Sequence, residues 1–276
     1  MMKLFEACKH ILNQGSIEDK LIDFNQIEFD FTQKISNTFD VPKFPVRSSS
    51  IKLSQKKLKF PRGHFHEIEK KAIALHSFAN HELLAIEMMA CALLVYPHHT
   101  PELIKFKRGV IQTLQDEQKH FSLYRKRLND LGYEFGDFPL NDFFWEQMAR
   151  LKTPAQYMSV MALTFEAANL DFAHHYKHVF LELGDKETAA VLNTVLEDEI
   201  SHVALGVSYM NQWRGDQALW DYYNETLPFP ITPARAKGKA FIEHVRKKAR
   251  MDDEFINKVK LYQDDFKVTQ RKEWKS

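Results

Sequence analysis

The amino-acid sequence predicts an all-α protein, a four-helix bundle with additional N- and C-terminal helices. Four long segments carry apolar residues at the three- and four-residue spacing of amphipathic helices, and none alternates with the period of a strand. The chain of 276 residues has only 9 glycines but 22 phenylalanines, which suits long helices better than turn-rich sheets. Proline and glycine punctuate the chain where these helices are expected to begin and end.

The N-terminal region, residues 1–63, is predicted to hold short helices followed by a basic segment that wraps the domain. Apolar residues at helical spacing predict a helix over 2–13, and Ser16 can cap a second short helix. The periodicity then fades, and residues 41–63 contain seven basic residues and no acidic residue. We expect a solvated segment here, with an anion-binding strip as the alternative.

The bundle itself is predicted to span residues 64–213 as two helical hairpins. The first hairpin joins helices over 64–96 and 100–131, and the second joins helices over 153–183 and 186–213. In each hairpin, a Thr-Pro pair supplies one helix with an N-cap and a proline at its first position. The short connections predict that the paired helices lie antiparallel.

The C-terminal region, residues 214–276, is predicted to be a helical extension that packs on the bundle. A short helix over 216–224 is followed by a break at Pro228 and Pro230, and then by one helix over 232–264. Because the terminal regions lack cores of their own, we expect them to form one domain with the bundle.

Two copies of the pattern Glu-x-x-His indicate where the bundle carries chemistry. One copy is Asp116-Glu117-Gln118-Lys119-His120, and the other is Asp198-Glu199-Ile200-Ser201-His202, 82 positions further on. Residues three apart share a helix face, so each carboxylate and its imidazole point the same way from an apolar stripe. Such groups are costly in a core unless they are paired, and a metal ion is a suitable partner.

A single glutamate precedes each copy, with Glu82 lying 35 positions before Glu117 and Glu166 lying 33 positions before Glu199. Counted from the hairpin turns at about 1.5 Å per residue, the two carboxylates of each hairpin fall at nearly the same height. A further acid follows five residues later in both hairpins, at positions 87 and 171. Glu87 also lies among apolar residues and is the alternative to Glu82 as the ligand from the first helix.

Together these residues form a predicted centre for two metal ions, with no catalytic residue separate from it. Oxygen-rich ligation with two imidazoles suits iron, or alternatively manganese, better than zinc, and four carboxylates neutralise two divalent ions. The predicted ligands are Glu82, Glu117, His120, Glu166, Glu199 and His202. The candidates for contacting these ligands are Glu87, Asp116, Asp171, Asp198 and Tyr124.

Two further histidines have a spacing that is compatible with metal binding. His174 and His178 are four residues apart on the third helix of the bundle, where their side chains share one face. We expect a polar helix face at this position.

Several segments also resemble a bacterial family of uncharacterised ferritin-like, di-iron carboxylate proteins. They are residues 81–87, 116–121, 131–137 and 198–203, and the resemblance covers residues 60–215. It implies a ferritin-like fold and the ligand set given above. More distantly, the Glu-x-x-His pairs are similar to those of rubrerythrins, ubiquinone-biosynthesis hydroxylases and a tRNA-modifying hydroxylase. Ferritins proper usually lack the second histidine, so the resemblance makes iron storage a less favoured role.

The predicted function is the O2-dependent oxidation of an unidentified small-molecule substrate at a di-iron centre, with electrons from a separate donor. One alternative is a non-catalytic iron- or manganese-binding protein, or a peroxide scavenger, with the same ligands. Another is an RNA-modifying hydroxylase that uses the basic residues of 41–63. The net charge of +1 favours neither a nucleic-acid nor a membrane partner, and the sequence leaves a homo-oligomer open.

The remaining signals concern the compartment and other enzyme classes. Two cysteines, Cys8 and Cys91, are too few for a disulfide framework, and we expect a cytoplasmic protein. The N-terminus does not resemble a secretory signal, and no apolar run reaches the length of a membrane span. The sequence contains no Gly-rich phosphate loop, no Cys-x-x-Cys pair and no Gly-x-Ser-x-Gly motif.

Overall fold

The structure, a computed structural model, describes residues 2–31, 39–54, 56 and 58–266. These residues are mostly helical, which confirms the predicted all-α class. The chain divides into two compact units, Met1–Ala149 and Arg150–Ser276. The boundaries that the sequence suggests at residues 63 and 213 stay predictions.

The first unit is built on a helical hairpin of α3, Ile68–Val95, and α4, Pro101–Asp130. The Thr100 hydroxyl caps α4 by accepting a hydrogen bond from the backbone N–H of Leu103 at 3.2 Å. Helix α3 begins four residues later than predicted because His64 adopts a left-handed conformation, with φ at 61°.

Short elements before α3, and one short helix after α4, complete the first unit. They are β1 (Met2–Lys3), α1 (Leu4–Asn13), α2 (Ile17–Lys20), a 3-10 turn (Phe24–Gln26), β2 (Ile27–Glu28), a second 3-10 turn (Ser49–Ile51) and α5 (Trp145–Met148). Strands β1 and β2 pair in parallel, with Met2 opposite Ile27, and the sequence did not predict them. Helix α1 covers the predicted 2–13 apart from its first two residues and packs against α3.

The basic segment over 41–63 is not uniformly solvated. The backbone N–H groups of Val46 and Ser48 donate to the carbonyls of Leu12 and Gly15, both at 2.8 Å. The Arg47 side chain between them is only 2% exposed, so one of the seven basic residues belongs to the core. Lys57 lies outside the described residues.

The second unit is built on another hairpin. Its first arm runs through α6 (Pro154–Val160), a π-helical turn (Met161–Glu166) and α7 (Ala167–Glu182), and its second arm is α8 (Lys186–Trp213). The predicted helix over 153–183 is therefore correct in extent but contains a π-helical turn that the sequence did not predict. Such single turns are frequent at functional sites.

The predicted single helix over 232–264 is wrong. After α9 (Leu219–Thr226), the chain forms a 3-10 turn (Pro233–Arg235), α10 (Glu243–Lys248) and α11 (Asp253–Leu261). The Asp171 carboxylate accepts hydrogen bonds from the backbone N–H groups of Gly238 and Ile242, both at 2.8 Å, which removes them from a continuous helix. Arg250 then ends α10 in a left-handed conformation, with φ at 63°. Residues 267–276 of the predicted extension lie outside the described range.

Helix α3 is long and apolar enough to cross a bilayer by length and composition alone, although it contains no uninterrupted apolar run of that length. Most of that stretch is buried inside the protein, as in the core helix of a water-soluble fold. Acids and histidines within α3 interrupt its apolar runs, which is why run length alone did not detect it.

Candidate metal centre

The first half-site, defined as Glu82, Glu117 and His120, lies between α3 and α4. Each of these residues offers a ligand atom within 4.8 Å of those of the other two, and all three side chains are buried. The Nδ1 atom of His120 lies 3.6 Å from Oε2 of Glu117, as expected for residues three apart on one helix. The hairpin thus brings the predicted carboxylate of α3 to the predicted pair of α4.

The second half-site, defined as Glu166, Glu199 and His202, lies in the second unit. Glu166 is the last residue of the π-helical turn, and it offers a ligand atom within 4.8 Å of one from His202. The Nδ1 atom of His202 lies 3.6 Å from Oε2 of Glu199, the same distance as in the first half-site. All three side chains are buried.

The donor set of each half-site fits a divalent cation that prefers oxygen. Two carboxylates and one imidazole converge in a buried space, where uncompensated negative charge is costly. Two carboxylates balance the charge of one divalent ion, and the oxygen-rich set without thiolate suits iron or manganese. The roles of these six residues as ligands stay a prediction.

Glu87, the alternative to Glu82, has other partners. It accepts hydrogen bonds from Nε and Nη2 of Arg47 at 3.1 and 2.7 Å, and Nζ of Lys20 lies 3.2 Å away. Five residues beyond Glu82, it is rotated about 140° around the helix axis. Burial lowers the pKa of Lys20, and the Glu87 carboxylate opposes that shift. Glu82 is therefore the residue of α3 that faces Glu117 and His120.

Asp171 has the corresponding place in the second unit. Its two carboxylate oxygens accept hydrogen bonds from Nη1 and Nη2 of Arg246 at 2.5 and 2.9 Å, besides the two backbone N–H groups of the C-terminal region. Both residues of this pair are almost fully buried. The acid that follows each single glutamate by five residues is thus held by an arginine, and we call Glu87–Arg47 and Asp171–Arg246 the two arginine clamps.

The other residues expected near the ligands differ in burial. Asp116 and Asp198 precede the two Glu-x-x-His glutamates and are half-buried. Tyr124 is buried on α4, and its ring centroid lies 5.6 Å from that of Phe78 on α3. It therefore takes part in packing one helical turn beyond His120.

Sequence reasoning missed Asn169, whose side-chain amide donates a hydrogen bond to Oε1 of Glu199 at 2.7 Å. A signal was available, since Asn169 lies three residues after Glu166 and so shares its helix face. Arg47 and Arg246 gave no such signal, because each reaches its acid from a distant segment of the chain.

Sequence reasoning also missed the support of the π-helical turn. The Thr164 hydroxyl donates to the Ser159 carbonyl at 2.7 Å, five residues back, and lies 2.8 Å from the hydroxyl of Tyr223. Burial raises the pKa of Tyr223, so its hydroxyl keeps its proton and donates it to Thr164. This chain of hydrogen bonds holds the turn that ends at Glu166.

Comparison with known proteins places the chain in a family. Residues 11–257 match the model of a family described as "Protein of unknown function (DUF455)". The chain belongs to this family. The match begins in α1 and ends in α11, so it includes both half-sites and both arginine clamps. Membership in a family of uncharacterised proteins is thus confirmed, and the ferritin-like character stays a prediction.

A curated relative from Haemophilus influenzae, named only as an uncharacterized protein, is 28% identical over 158 residues. That alignment covers 55% of this chain and 54% of the relative, so the chain spans about half the length of the relative that it matches. No solved structure matches the chain.

Proposed function

We propose that the two half-sites together form one dinuclear metal centre, and that the protein is an O2-dependent oxidoreductase of the hydroxylase or oxidase type. The observation that carries the proposal is the duplication of a buried cluster of two carboxylates and one imidazole, one in each unit. Buried ion pairs also arise in structural networks, but two clusters with the same residue types and the same 3.6 Å spacing favour one shared purpose.

In this proposal, Glu117 and Glu199 would be shared between two iron ions, His120 and His202 would hold one ion each, and Glu82 and Glu166 would be terminal ligands. Manganese is the alternative metal. Bound iron would supply the activation of O2, one oxygen atom passing to the substrate and the other leaving as water, with two electrons from the separate donor and two protons.

The contribution of the protein is to fix geometry and to keep the site dry. The Asn169 amide holds one oxygen of Glu199, which leaves the other oxygen, 3.6 Å from His202, facing the ligand cluster. The half-sites lie among buried apolar side chains, which exclude bulk water and strengthen the electrostatic interactions.

The proposal is tested by anaerobic titration of the metal-free chain with Fe(II). We expect two ions per chain, and weaker binding or a loss of at least one ion in Glu199→Ala. Glu197→Ala, an exposed change on the same helix, is the matched control and should bind as the parent does. Fewer than two ions per chain, with Glu199→Ala unchanged, would refute the dinuclear centre.

The non-catalytic and peroxide-scavenging alternatives share the same ligands and differ in turnover. Mixing the ferrous protein with O2 or with hydrogen peroxide, with and without a reducing system, separates them. Repeated O2 consumption supports the oxidoreductase, whereas turnover of peroxide alone supports the scavenger. A single oxidation without turnover supports metal binding as the whole function.

The RNA-modifying alternative depends on the basic residues of 41–63. The use of Arg47 in a buried clamp reduces the charge that this segment can offer to an RNA. If charge reversal at Lys56, Lys57 and Lys59 left RNA binding unchanged, this alternative would be excluded.

We also propose that the protein acts in the cytoplasm.

A further inference from the structure

Three histidines of the second unit converge outside the predicted carboxylate ligands. His174 and His178 lie one turn apart on α7, with ring centroids 4.6 Å apart. His244 comes from α10, and its ring centroid lies 5.6 Å from that of His174. The sequence pattern alone led us to expect a polar helix face, because nothing local connects position 244 with α7.

The three histidines differ in solvent exposure, and this difference would allow two of the rings to turn toward an ion beside the third. His174 is half-buried, whereas His178 and His244 are exposed and can adjust their rotamers around it. A pair of histidines at positions i and i+4 presents two nitrogens from one rigid helix face. The third nitrogen comes from His244 on α10, so the three candidate ligands are provided by two different helices.

The ring-centroid spacings of the pairs His174–His178 and His174–His244 leave room for an ion once the exposed rings turn their nitrogens toward it. An imidazole nitrogen binds zinc at about 2.0–2.1 Å, which puts the ring centroid about 3.2 Å from the ion. Two such centroids lie about 5.2 Å apart in a tetrahedral site. The observed spacings of 4.6 and 5.6 Å bracket this value.

The arginine clamp of the second unit holds the two helices in the required register. Asp171 lies three residues before His174 on α7, and Arg246 lies two residues after His244 on α10. Their buried ion pair has a shortest distance of 2.5 Å and fixes the two backbones directly beside the histidines. Sites built on rigid elements with such support keep their ligands in place.

Neighbouring groups also keep a coordinating form of the imidazole available. Burial lowers the pKa of His174, and His178, Lys177 and His244 lower it further, while Asp171 acts in the opposite direction. This shift favours the neutral form of His174, which is the form that coordinates a metal ion. Glu243, the acid beside His244, is paired with Lys260.

We propose that His174, His178 and His244 form a second metal site, which binds a borderline divalent cation such as Zn²⁺, Ni²⁺, Cu²⁺ or Co²⁺. Three imidazoles without a carboxylate or thiolate favour such ions over the harder ions that suit the carboxylate half-sites. Three protein ligands leave a fourth position for water or for a small ligand.

The experiment uses the full chain with its carboxylate centre already loaded with iron, titrated with Co²⁺ and followed by visible absorption. We expect one additional ion per chain, with the absorption of a cobalt ion bound by nitrogen. His174→Gln, His178→Gln and His244→Gln should each weaken this binding by at least about tenfold. Because protons compete for imidazole, the affinity should also fall as the pH drops below about 6.

Two control variants make the result specific. His175→Gln changes an exposed histidine on the same helix whose ring contacts Tyr176, and it should bind cobalt as the parent does. His66→Gln removes a ligand from the exposed cluster of His64, His66 and Glu67 in the first unit. If only His66→Gln removes the additional ion, or if the three histidine variants bind as the parent does, the proposal is wrong. Since His178 is exposed, its variant remains informative even if changes at His174 disturb folding.

Discussion

The two helical hairpins carry the same three candidate ligands but pack differently next to them. Seven residues after the Glu-x-x-His glutamate, α4 has Tyr124, whose ring lies against Phe78 with centroids 5.6 Å apart. At the corresponding place, α8 has Gly206, where an added Cβ would lie 2.3 Å from Cβ of Ala162. The first hairpin fills this layer with two rings, and the second fills it by close approach of the helix backbones.

The surroundings of the glutamates differ as well. Glu166 ends a π-helical turn, whereas Glu82 lies within an α-helix. Glu199 accepts a hydrogen bond from Asn169, which lies three residues after Glu166. The residue three positions after Glu82 is Ala85, which has no side-chain donor. A duplicated ligand pattern therefore does not imply two equivalent ions, and we expect the two half-sites to differ in affinity.

The hairpins agree again at the arginine clamps. The N-terminal segment supplies Arg47 to one unit and the C-terminal region supplies Arg246 to the other, each to an acid five residues beyond a candidate ligand. The extensions at the two ends of the chain thus stabilise the two hairpins in the same way.

The largest expected effect is at the clamps. Glu87→Gln leaves Lys20 and Arg47 buried without their carboxylate, and Asp171→Asn does the same to Arg246. Each should lower the free energy of unfolding by about 3–5 kcal/mol, measured by urea denaturation. Asp130→Asn breaks the more exposed ion pairs with Lys126 and Arg127 and should lower the stability much less than either clamp substitution. If the free energy of unfolding fell by less than about 1 kcal/mol at either clamp, the two clamps would not stabilise their hairpins in the same way.

The next effect tests the close approach in the second hairpin. Gly206→Ala should cost about 1–3 kcal/mol, because its methyl group meets Ala162 and Leu163 at 2.3 and 2.8 Å. In the first hairpin, Tyr124→Phe retains the ring and should cost less than Gly206→Ala. Ser208→Ala on the exposed face of α8 is the control, with a change within about 0.5 kcal/mol. If Gly206→Ala were as stable as the parent, α8 and the π-helical turn could move apart without a loss of free energy, and the close approach would not contribute to stability.

Asn169→Ala tests the difference between the half-sites. Removing the amide frees one oxygen of Glu199, and the affinity for the ion beside His202 should fall about 10–100-fold, a larger loss than for the ion beside His120. Competition titrations with a chelator of known affinity measure both. Asn193→Ala, which removes an amide that donates to Glu197, should leave both affinities unchanged. Equal weakening of both ions by Asn169→Ala would contradict inequivalent half-sites.

The smallest effect concerns the π-helical turn. Thr164→Val removes the hydroxyl that links Ser159 to Tyr223 and should cost about 1 kcal/mol, the typical net contribution of a hydrogen bond. Thr164→Ser keeps the hydroxyl and should retain most of the stability. If both substitutions lowered the stability equally, packing of the methyl group would be the cause.

The proximity of the candidate ligands within each hairpin could be predicted from the sequence because its signal is local, and their role as ligands stays a prediction. Glu117 and His120 share a face by helix periodicity, and Glu82 follows from equal distances to the hairpin turn. The choice between Glu82 and Glu87 needed the structure, since it depends on Arg47, a residue 40 positions away from Glu87. The broken C-terminal helix has a similar origin, because Asp171 takes up backbone N–H groups 67 and 71 positions further on. The π-helical turn was hidden because all six of its residues are buried and most are apolar, so its sequence gives no period that differs from that of an α-helix.

Magnetic coupling between the bound ions tests the proposed dinuclear centre most directly. We predict that the iron-loaded, oxidised chain holds two ferric ions per chain in a coupled pair, seen as a diamagnetic ground state by Mössbauer spectroscopy in an applied field. His202→Ala should abolish the coupled pair, whereas His175→Ala should leave it intact. Two uncoupled paramagnetic ferric sites, or one ion per chain, would contradict the proposal that the half-sites form one centre.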